Sequence, residues 1–379
     1  MDSAAGGDGW GWGRAAHAGR PVTHGRPPGG RAQTLVAPVF VAALLAQAVR
    51  QGIDPAVLLR GLGLSLADLA KPGLAVSHRE AITLVRRCLR LMPQPDLALR
   101  LGRQMVLTDW GTLALGLLGA TTLGDALGLC LHHPASAGYL LDLREGSAPD
   151  GLVLIAEAFG GESDLQPFLV ELTFAATVQQ LRQTSQTMCA PAVVELMHPA
   201  PLRAAGYTAY FGCPVHFGRP QNALRMHHDW LAFRLPWASS LAHRLALQGL
   251  ESEQQRWGSS SPLGLAVERT LRGLLPEVAD LARVAGALNL SERSLRRHLA
   301  LEGLSYRQVL DEARRSEALA LMAGGPRPIA ELARATGFSS HRAFTRAFKR
   351  WTGQWPSRFK GGADTQVVGT PATAPEEQD

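Results

Sequence analysis

Apolar positions between residues 34 and 250 follow two different periods. Val36, Val39, Phe40, Ala43 and Leu44 recur at three and four, so the pattern reads as helical from Leu35 onward, with one buried face. The same spacing predicts helices near 55–60, 78–92, 96–107 and 123–133. A longer one runs from about Leu165 to Gln183, and another covers Ser240–Gln248 with Gly249 as its stop signal. Between them lie runs of strand length. Tyr139–Arg144 and Leu152–Glu157 flank Gly146–Gly151 and predict a β-hairpin. Ala192–Met197 reads as a strand ending at His198-Pro199, and Val215–Phe217 as another extended piece. Helices and strands mixed in this way predict one α+β domain over 34–250.

The pattern then changes. Residues 251–261 (ESEQQRWGSSS) are polar and end Ser-rich, as a linker would. Residues 262–360 carry helical periods alone and predict an all-α domain. At the two ends, 1–33 and 361–379 show no period. Both read as disordered, with a basic arm (Arg14, Arg20, Arg26, Arg31) as the alternative for the first.

Within the helical region the chain repeats itself. Val278–Gly286 (VADLARVAG) and Ile329–Gly337 (IAELARATG) match at five of nine positions with an offset of 51. The segments that follow match at an offset of 49: Ser291 with Ser340, Arg293 with Arg342, Leu295 with Phe344, Arg297 with Arg346, Leu299 with Phe348. Each unit reads as helix, turn and second helix. The first turn is two residues longer, Gly286 and Gly337 supply positive φ at the C-caps, and Ser291 and Ser340 are N-caps. Phe344, Phe348 and Trp351 form an apolar stripe, and His341, Arg342, Thr345, Arg346 and Lys349 lie off it. In the first unit Leu295 and Leu299 point inward and Arg293, Arg296 and Arg297 outward. That split suits a recognition helix, which buries one face and offers the other to the major groove. Arginine forks to guanine O6 and N7 or clamps phosphate, and Ser, Thr and His hydrogen-bond base edges or phosphates. Ser291, Ser294 and Ser340 complete the candidate DNA-contacting set. Ser305–Met322 reads as one connecting helix. It would be about 27 Å long, enough to hold two readers for successive major grooves about 34 Å apart.

Charge supports the same reading. The whole chain is only +6, but residues 262–360 hold seventeen Lys or Arg against nine Asp or Glu. The excess sits in the helical domain, as a phosphate-facing surface requires.

These residues resemble the AraC/XylS-type DNA-binding domain. GFSSHRAFTRAFKRWTGQWPSRFK is similar to its second half, and NLSERSLRRHLALEGLSYRQVLDEARRSEALALM to its first half and connecting helix. Lys360 stands where the family usually has Arg. The resemblance implies a bacterial transcription factor. It carries base-facing roles onto Arg293, Arg296, Arg297, His341, Arg342, Thr345 and Arg346. Scattered pieces of the N-terminal region look like an arabinose-binding-like sensor domain: Gly111–Leu118 (GTLALGLL), Thr122–Ala126 (TLGDA), Pro191 with Val194–Pro199, Tyr210–Phe217 (YFGCPVHF) and Leu235–Ala238 (LPWA). The fold class expected is therefore an α+β N-terminal sensor domain joined to an all-α domain with two helix-turn-helix units. The partners implied are double-stranded promoter DNA, RNA polymerase, a small-molecule effector and a second copy in a homodimer. Activation is expected by analogy only.

Other chemistry is weakly marked. At 46% hydrophobic and 18% charged, the chain has the composition of a globular protein. Cys88, Cys130, Cys189 and Cys213 are scattered with no CxxC, which speaks against a zinc ribbon or a disulfide framework. The N-terminus lacks an apolar signal region. Trp110–Leu131 carries Asp125 and five glycines, so it reads as buried helices of a soluble domain rather than a membrane span. A cytoplasmic location follows. The adjacent pairs His132-His133 and His227-His228 should point apart and make poor metal ligands. His198 and His216 could line a cavity, but hydrogen-bonded structural histidines are the commoner case. Glu157, Glu162, Asp164 and Glu171 read as solvated acids, with a cation-receiving cluster as the alternative. GxSxG, HExxH, Walker A and a Rossmann GxGxxG are all missing, so neither cofactor nor catalysis is expected. Two further readings remain open: an enzyme tethered to DNA by its helical domain, and an architectural DNA binder without an effector.

Overall fold

A computed structural model describes residues 34–359, apart from positions 70, 72, 160, 161, 203, 259, 278, 279, 324 and 326. The extensions 1–33 and 361–379, and Lys360, lie outside the described residues. The chain divides into two compact units, Met1–Pro262 and Leu263–Asp379.

The first unit opens with β1 (Leu35–Val36), not with helix as the sequence suggested. It pairs antiparallel with β2 (Val76–Ser77). Between the two strands lie α1 (Val39–Arg50), α2 (Pro55–Leu59) and α3 (Leu66–Leu69). Then come α4 (His78–Leu91), α5 (Leu97–Gln104), a 3-10 turn at Leu107–Trp110, α6 (Thr112–Gly119) and α7 (Leu123–His132). Local chemistry sets the starts. Ser77 and Glu80 form a capping box on α4, with the Ser77 amide donating to Glu80 Oε2 at 2.7 Å, and Thr122 with Asp125 forms another on α7.

The hairpin is present as β3 (Asp142–Ala148) and β4 (Gly151–Glu157). It starts later than the apolar run, because Tyr139–Leu141 are apolar through burial rather than strand pairing. The buried helix α8 (Gln166–Ser185) follows, with fourteen of its twenty residues buried, which makes it the centre of the unit. Beyond it lie β5 (Val193–Glu195), α9 (Ala205–Phe211), β6 (Val215–His216), β7 (Asn222–His227), α10 (His228–Leu231) and α11 (Ser240–Gly258). The five-stranded sheet runs β3-β4-β7-β5-β6, antiparallel except for the parallel pair β5–β6. Its central strand β7 escaped the sequence reading, because Asn222, Arg225 and His227 break up the apolar alternation in NALRMH.

Two expectations about α11 are corrected. Gly249 does not stop it, and residues 251–258 are its last two turns rather than linker. Gly249 is needed for packing: a Cβ there would lie 2.7 Å from Thr112 Cγ2 on α6. Likewise a Cβ on Gly119 would meet the His243 backbone nitrogen at 2.7 Å. The glycine-bearing Trp110–Leu131 segment therefore forms helices that neighbours approach closely. Among the described residues no helix is long and apolar enough to cross a membrane. The supposedly polar end of α11 is also anchored, since Thr112 Oγ1 donates to Glu253 Oε1 at 2.8 Å.

The second unit is all helical: α12 (Pro262–Leu274, its first residue on the boundary), α13 (Leu281–Ala287), α14 (Glu292–Leu301), α15 (Tyr306–Ala323), α16 (Ile329–Ala335) and α17 (His341–Thr352). It has two separate cores. Val267, Leu271, Val284, Leu295, Leu299, Val309 and Ala313 make the first, and Ala318, Leu332, Phe344 and Phe348 the second. Helix α15 supplies Val309 and Ala313 to one and Ala318 to the other, so it is the shared spine.

Candidate nucleic-acid interface

The helix-turn-helix pairs are α13–α14 and α16–α17, but their register differs from the sequence repeat. Helices α13 and α16 are both seven residues long and start 48 apart, not 51. Leu281, Val284 and Ala285 therefore take the places of Ile329, Leu332 and Ala333, and the first turn is one residue shorter than the second instead of two longer. Gly337 has the expected positive φ of 73°. Gly286 lies inside α13, and Asn289, at φ 55°, takes the left-handed position in its place. Both turns close alike: the Leu290 amide donates to Ala285 O at 2.8 Å and the Phe338 amide to Ala333 O at 2.8 Å, and the two apolar side chains fold back on their cores. Core positions and capping geometry, rather than identities, define the equivalence.

The second helices begin as anticipated. Ser291 Oγ accepts from the Ser294 amide at 3.2 Å and donates to Ser294 Oγ at 2.9 Å, while Ser340 Oγ accepts from the Ala343 amide at 3.2 Å. Leu295, Phe344 and Phe348 are fully buried and Leu299 nearly so. Arg293, Arg296 and Arg297 are exposed on α14, as are His341, Arg342, Arg346 and Lys349 on α17; Ser294 and Thr345 are half-buried. The Thr345 hydroxyl donates to His341 O at 2.8 Å, and the Lys349 ammonium sits 4.2 Å from the Trp355 ring centroid.

Charge pairing separates the outward-facing arginines of these helices from the paired ones of the unit. Arg283, Arg315, Arg327 and Arg350 are ion-paired, with Glu277, Glu312, Glu331 and Asp311. Arg293 and Arg297 are four apart on α14, as are Arg342 and Arg346 on α17, and no described acid neutralises any of them. Like charges at this spacing repel by about 0.2–0.5 kcal/mol per pair. Arg307 and Arg334, exposed and without an ion-pair partner among the described residues, escaped the sequence reading because they lie on the flanking helices α15 and α16. Helix α15 has eighteen residues, so it is about 27 Å long. Arg314 steadies its contact with the second turn, donating to Gly337 O at 3.0 Å while its guanidinium carbon lies 4.6 Å from the Phe338 ring centroid.

The other candidate chemistry resolves into structure. All four cysteines are free and buried, and burial pushes the Cys88 and Cys130 thiols up to about 12. His198 lies 3.0 Å from the buried Glu171 carboxylate, which also accepts from Tyr207 Oη at 2.8 Å; His216 is exposed. Asp164 pairs with Arg86 at 3.0 Å and Glu157 with Arg144, so the four acids form no common site. His227 and His228 do not point apart, contrary to the expectation from the sequence. Strand gives way to helix between them, their rings are 4.4 Å apart, and Asp229 lies 3.1 Å from both. The three are the one group among the described residues with metal-ligand proximity, and they sit at the surface.

Several motifs that resembled a sensor domain serve packing. A Cβ on Gly124 would lie 2.9 Å from Leu231 O, Thr122 bridges to Arg234, and the Leu235 amide donates to Thr121 O at 3.0 Å. Together they pin the α10–α11 connection to the start of α7.

Comparison with known proteins agrees with both units. Residues 52–235 match the arabinose-binding domain of AraC transcription regulators, and residues 284–361 match a helix-turn-helix domain. The ornithine utilization regulator of Pseudomonas aeruginosa is 26% identical over 86% of this chain and 96% of its own. The regulator VirS of Mycobacterium tuberculosis is 28% identical over 70% of this chain and 78% of its own. A crystal structure of the transcriptional regulator CdpR from Pseudomonas aeruginosa aligns with 84% of this chain and 96% of its own at 22% identity, with a TM-score of 0.42. The chain belongs to the AraC/XylS-type family of DNA-binding transcriptional regulators, with an arabinose-binding-like N-terminal domain and a helix-turn-helix C-terminal domain.

Proposed function

We propose that α14 and α17 are paired recognition helices that enter successive major grooves of promoter DNA, and that the N-terminal unit makes this binding responsive to a small-molecule effector. The observation that carries the first part is the pair of un-neutralised arginine faces, each backed by its own apolar core and both mounted on α15. Arg293, Arg296, Arg297, Arg342 and Arg346 contact bases or phosphates, with His341, Thr345 and Lys349 alongside. The exposed faces of Ser291, Ser294 and Ser340, together with Arg307 and Arg334, meet the backbone.

Effector binding biases an existing equilibrium between conformations that differ in DNA or RNA polymerase contact, and the outcome is activation. The protein works in the cytoplasm, as a regulator and not as an enzyme. Exposed Leu241 and Leu245 on α11, with Trp237 just before it, favour a homodimer. The test is fluorescence anisotropy of the full chain on duplexes selected from a random pool, at several salt concentrations. Tight binding with a steep negative slope of log affinity against log salt is expected. A flat slope, or no sequence preference, refutes the reading.

A further inference from the structure

The first unit contains a cavity of about 600 Å³ lined by α1, Lys71, Gly73 and Leu74, the end of α5, residues of the 108–112 segment and the last two turns of α11. Four charged side chains line it, and three are already committed. Lys71 Nζ lies 2.6 Å from Asp68. Asp109 Oδ2 accepts from the Val106 amide at 2.9 Å. Glu253 accepts from the Thr112 hydroxyl at 2.8 Å and the Ser136 hydroxyl at 3.3 Å.

The fourth, Arg50, differs. Its Nε and Nη2 donate to Gln47 Oε1 at 3.1 and 2.8 Å, and Nη2 also reaches Gln104 Oε1 at 2.5 Å. These partners are neutral amides, and no described acid lies within ion-pair distance of it, the cavity's two acids Asp109 and Glu253 being held by the amide and hydroxyl donors named above. The two glutamines hold the guanidinium in place and leave Nη1 without a partner among the described residues. A fixed guanidinium without an ion-pair partner on a cavity wall is a receptor for a carboxylate. Trp110, Trp257, Leu74 and Leu101 supply apolar wall beside it, so the occupant carries an apolar body.

We propose that this cavity is the effector site, and that its ligand is a small organic carboxylate whose anionic end is taken by Arg50. This rests on the effector-responsive reading above and names its site and ligand class. The same cavity explains how occupancy is reported. Trp257 and Glu253 belong to the last two turns of α11, and only three residues separate that helix from α12. A ligand that touches them biases the segment through which the chain enters the DNA-binding unit.

The experiment measures thermal shift and titration calorimetry on the full chain with butanoate, hexanoate, octanoate, benzoate and phenylacetate, each beside its primary amide. At least one acid should raise the melting temperature while its amide does not. Arg50→Gln should weaken that acid's binding about tenfold or more, with ligand-free DNA affinity unchanged and the ligand-free melting temperature lowered only slightly by loss of the contacts to Gln47 and Gln104. Equal binding of acids and amides, retention of binding in Arg50→Gln, or silence from the whole panel overturns the assignment. DNA binding of the ligand-free protein is measured separately. Its loss in arginine variants of α14 and α17 tests the regulator reading without touching this one.

Discussion

Replacing Arg297 and Arg346 by alanine, singly and together, tests whether the second unit has two readers or one. Both guanidiniums are exposed at equivalent positions on α14 and α17, and neither helix depends on them for packing, since Leu295, Leu299, Phe344 and Phe348 hold the cores. Each single change should therefore leave the fold intact. A lost bidentate contact to guanine weakens binding by about 1–3 kcal/mol, or roughly 5- to 150-fold. The cores behind the two helices use different residues of α15, Val309 and Ala313 for one and Ala318 for the other, and share none. Sites more than about 10 Å apart without common partners add within about 0.5 kcal/mol. The double variant should then lose close to the product of the two single factors. Anisotropy titrations on a selected duplex at several salt concentrations give both affinity and slope. An arginine on phosphate lowers the slope by about 0.9 whatever the sequence, whereas one on a base relaxes preference at a single position. A double variant no weaker than the worse single variant refutes the two-reader arrangement, as does full affinity in either single variant.

Three further outcomes are expected. Gly119→Ala should destabilise the first unit by about 1–3 kcal/mol, because the new methyl meets backbone of α11 that cannot step aside; a raised melting temperature would contradict the close packing of α6 on α11. Phe348→Ala removes a fully buried ring and should cost about 3–5 kcal/mol, melting α16–α17 while hydrogen exchange in α13–α14 stays protected; loss of both would mean one cooperative core. The Glu171 carboxylate holds the His198 pKa above its ordinary value, so the stabilisation from this pair is complete below about pH 6.5 and is lost as pH rises through the raised folded value. His198→Gln should flatten that part of the unit's stability–pH curve, and an unchanged curve would remove the pair from the linkage.

The legibility of the sequence follows from what each element needed. Helices with one buried face, such as α4 and α17, announce themselves through their period, and their Ser caps mark the starts. Strand β7 was missed because a central strand can carry Asn222 and Arg225 when side chains elsewhere complete them: Asn222 Oδ1 accepts from the Met197 amide at 2.9 Å, and Arg225 reaches Glu195 at 3.0 Å. Gly249 misled because glycine as a stop and glycine as a contact point look identical until the neighbouring helix is known. The polar 251–258 segment misled for a related reason, since Glu253 finds its partners on Thr112 and Ser136, more than a hundred residues away. In the repeat, identical letters at offset 51 outweighed the burial pattern that sets the offset at 48. The candidate arginines themselves were readable, because exposure on an amphipathic helix depends only on local spacing.

Exposure alone would not single those arginines out, since most arginine faces are merely solvated. The distribution of acids does. Of the nine in residues 262–360, Glu277, Asp311, Glu312, Glu317 and Glu331 are spent on Arg283, Arg350, Arg315, Arg272 and Arg327. Those pairs lie on or between the supporting helices, or tie the end of α17 to α15. Stability alone would favour an acid between Arg293 and Arg297, or between Arg342 and Arg346, and neither helix places one there to pair with them. Repulsion on both second helices is thus retained in the free protein, and on the proposed reading an external anion relieves it. A single phosphate could serve one helix, but two such faces carried on one spine of about 27 Å fit a polyanion with a regular repeat of about 34 Å, which is duplex DNA.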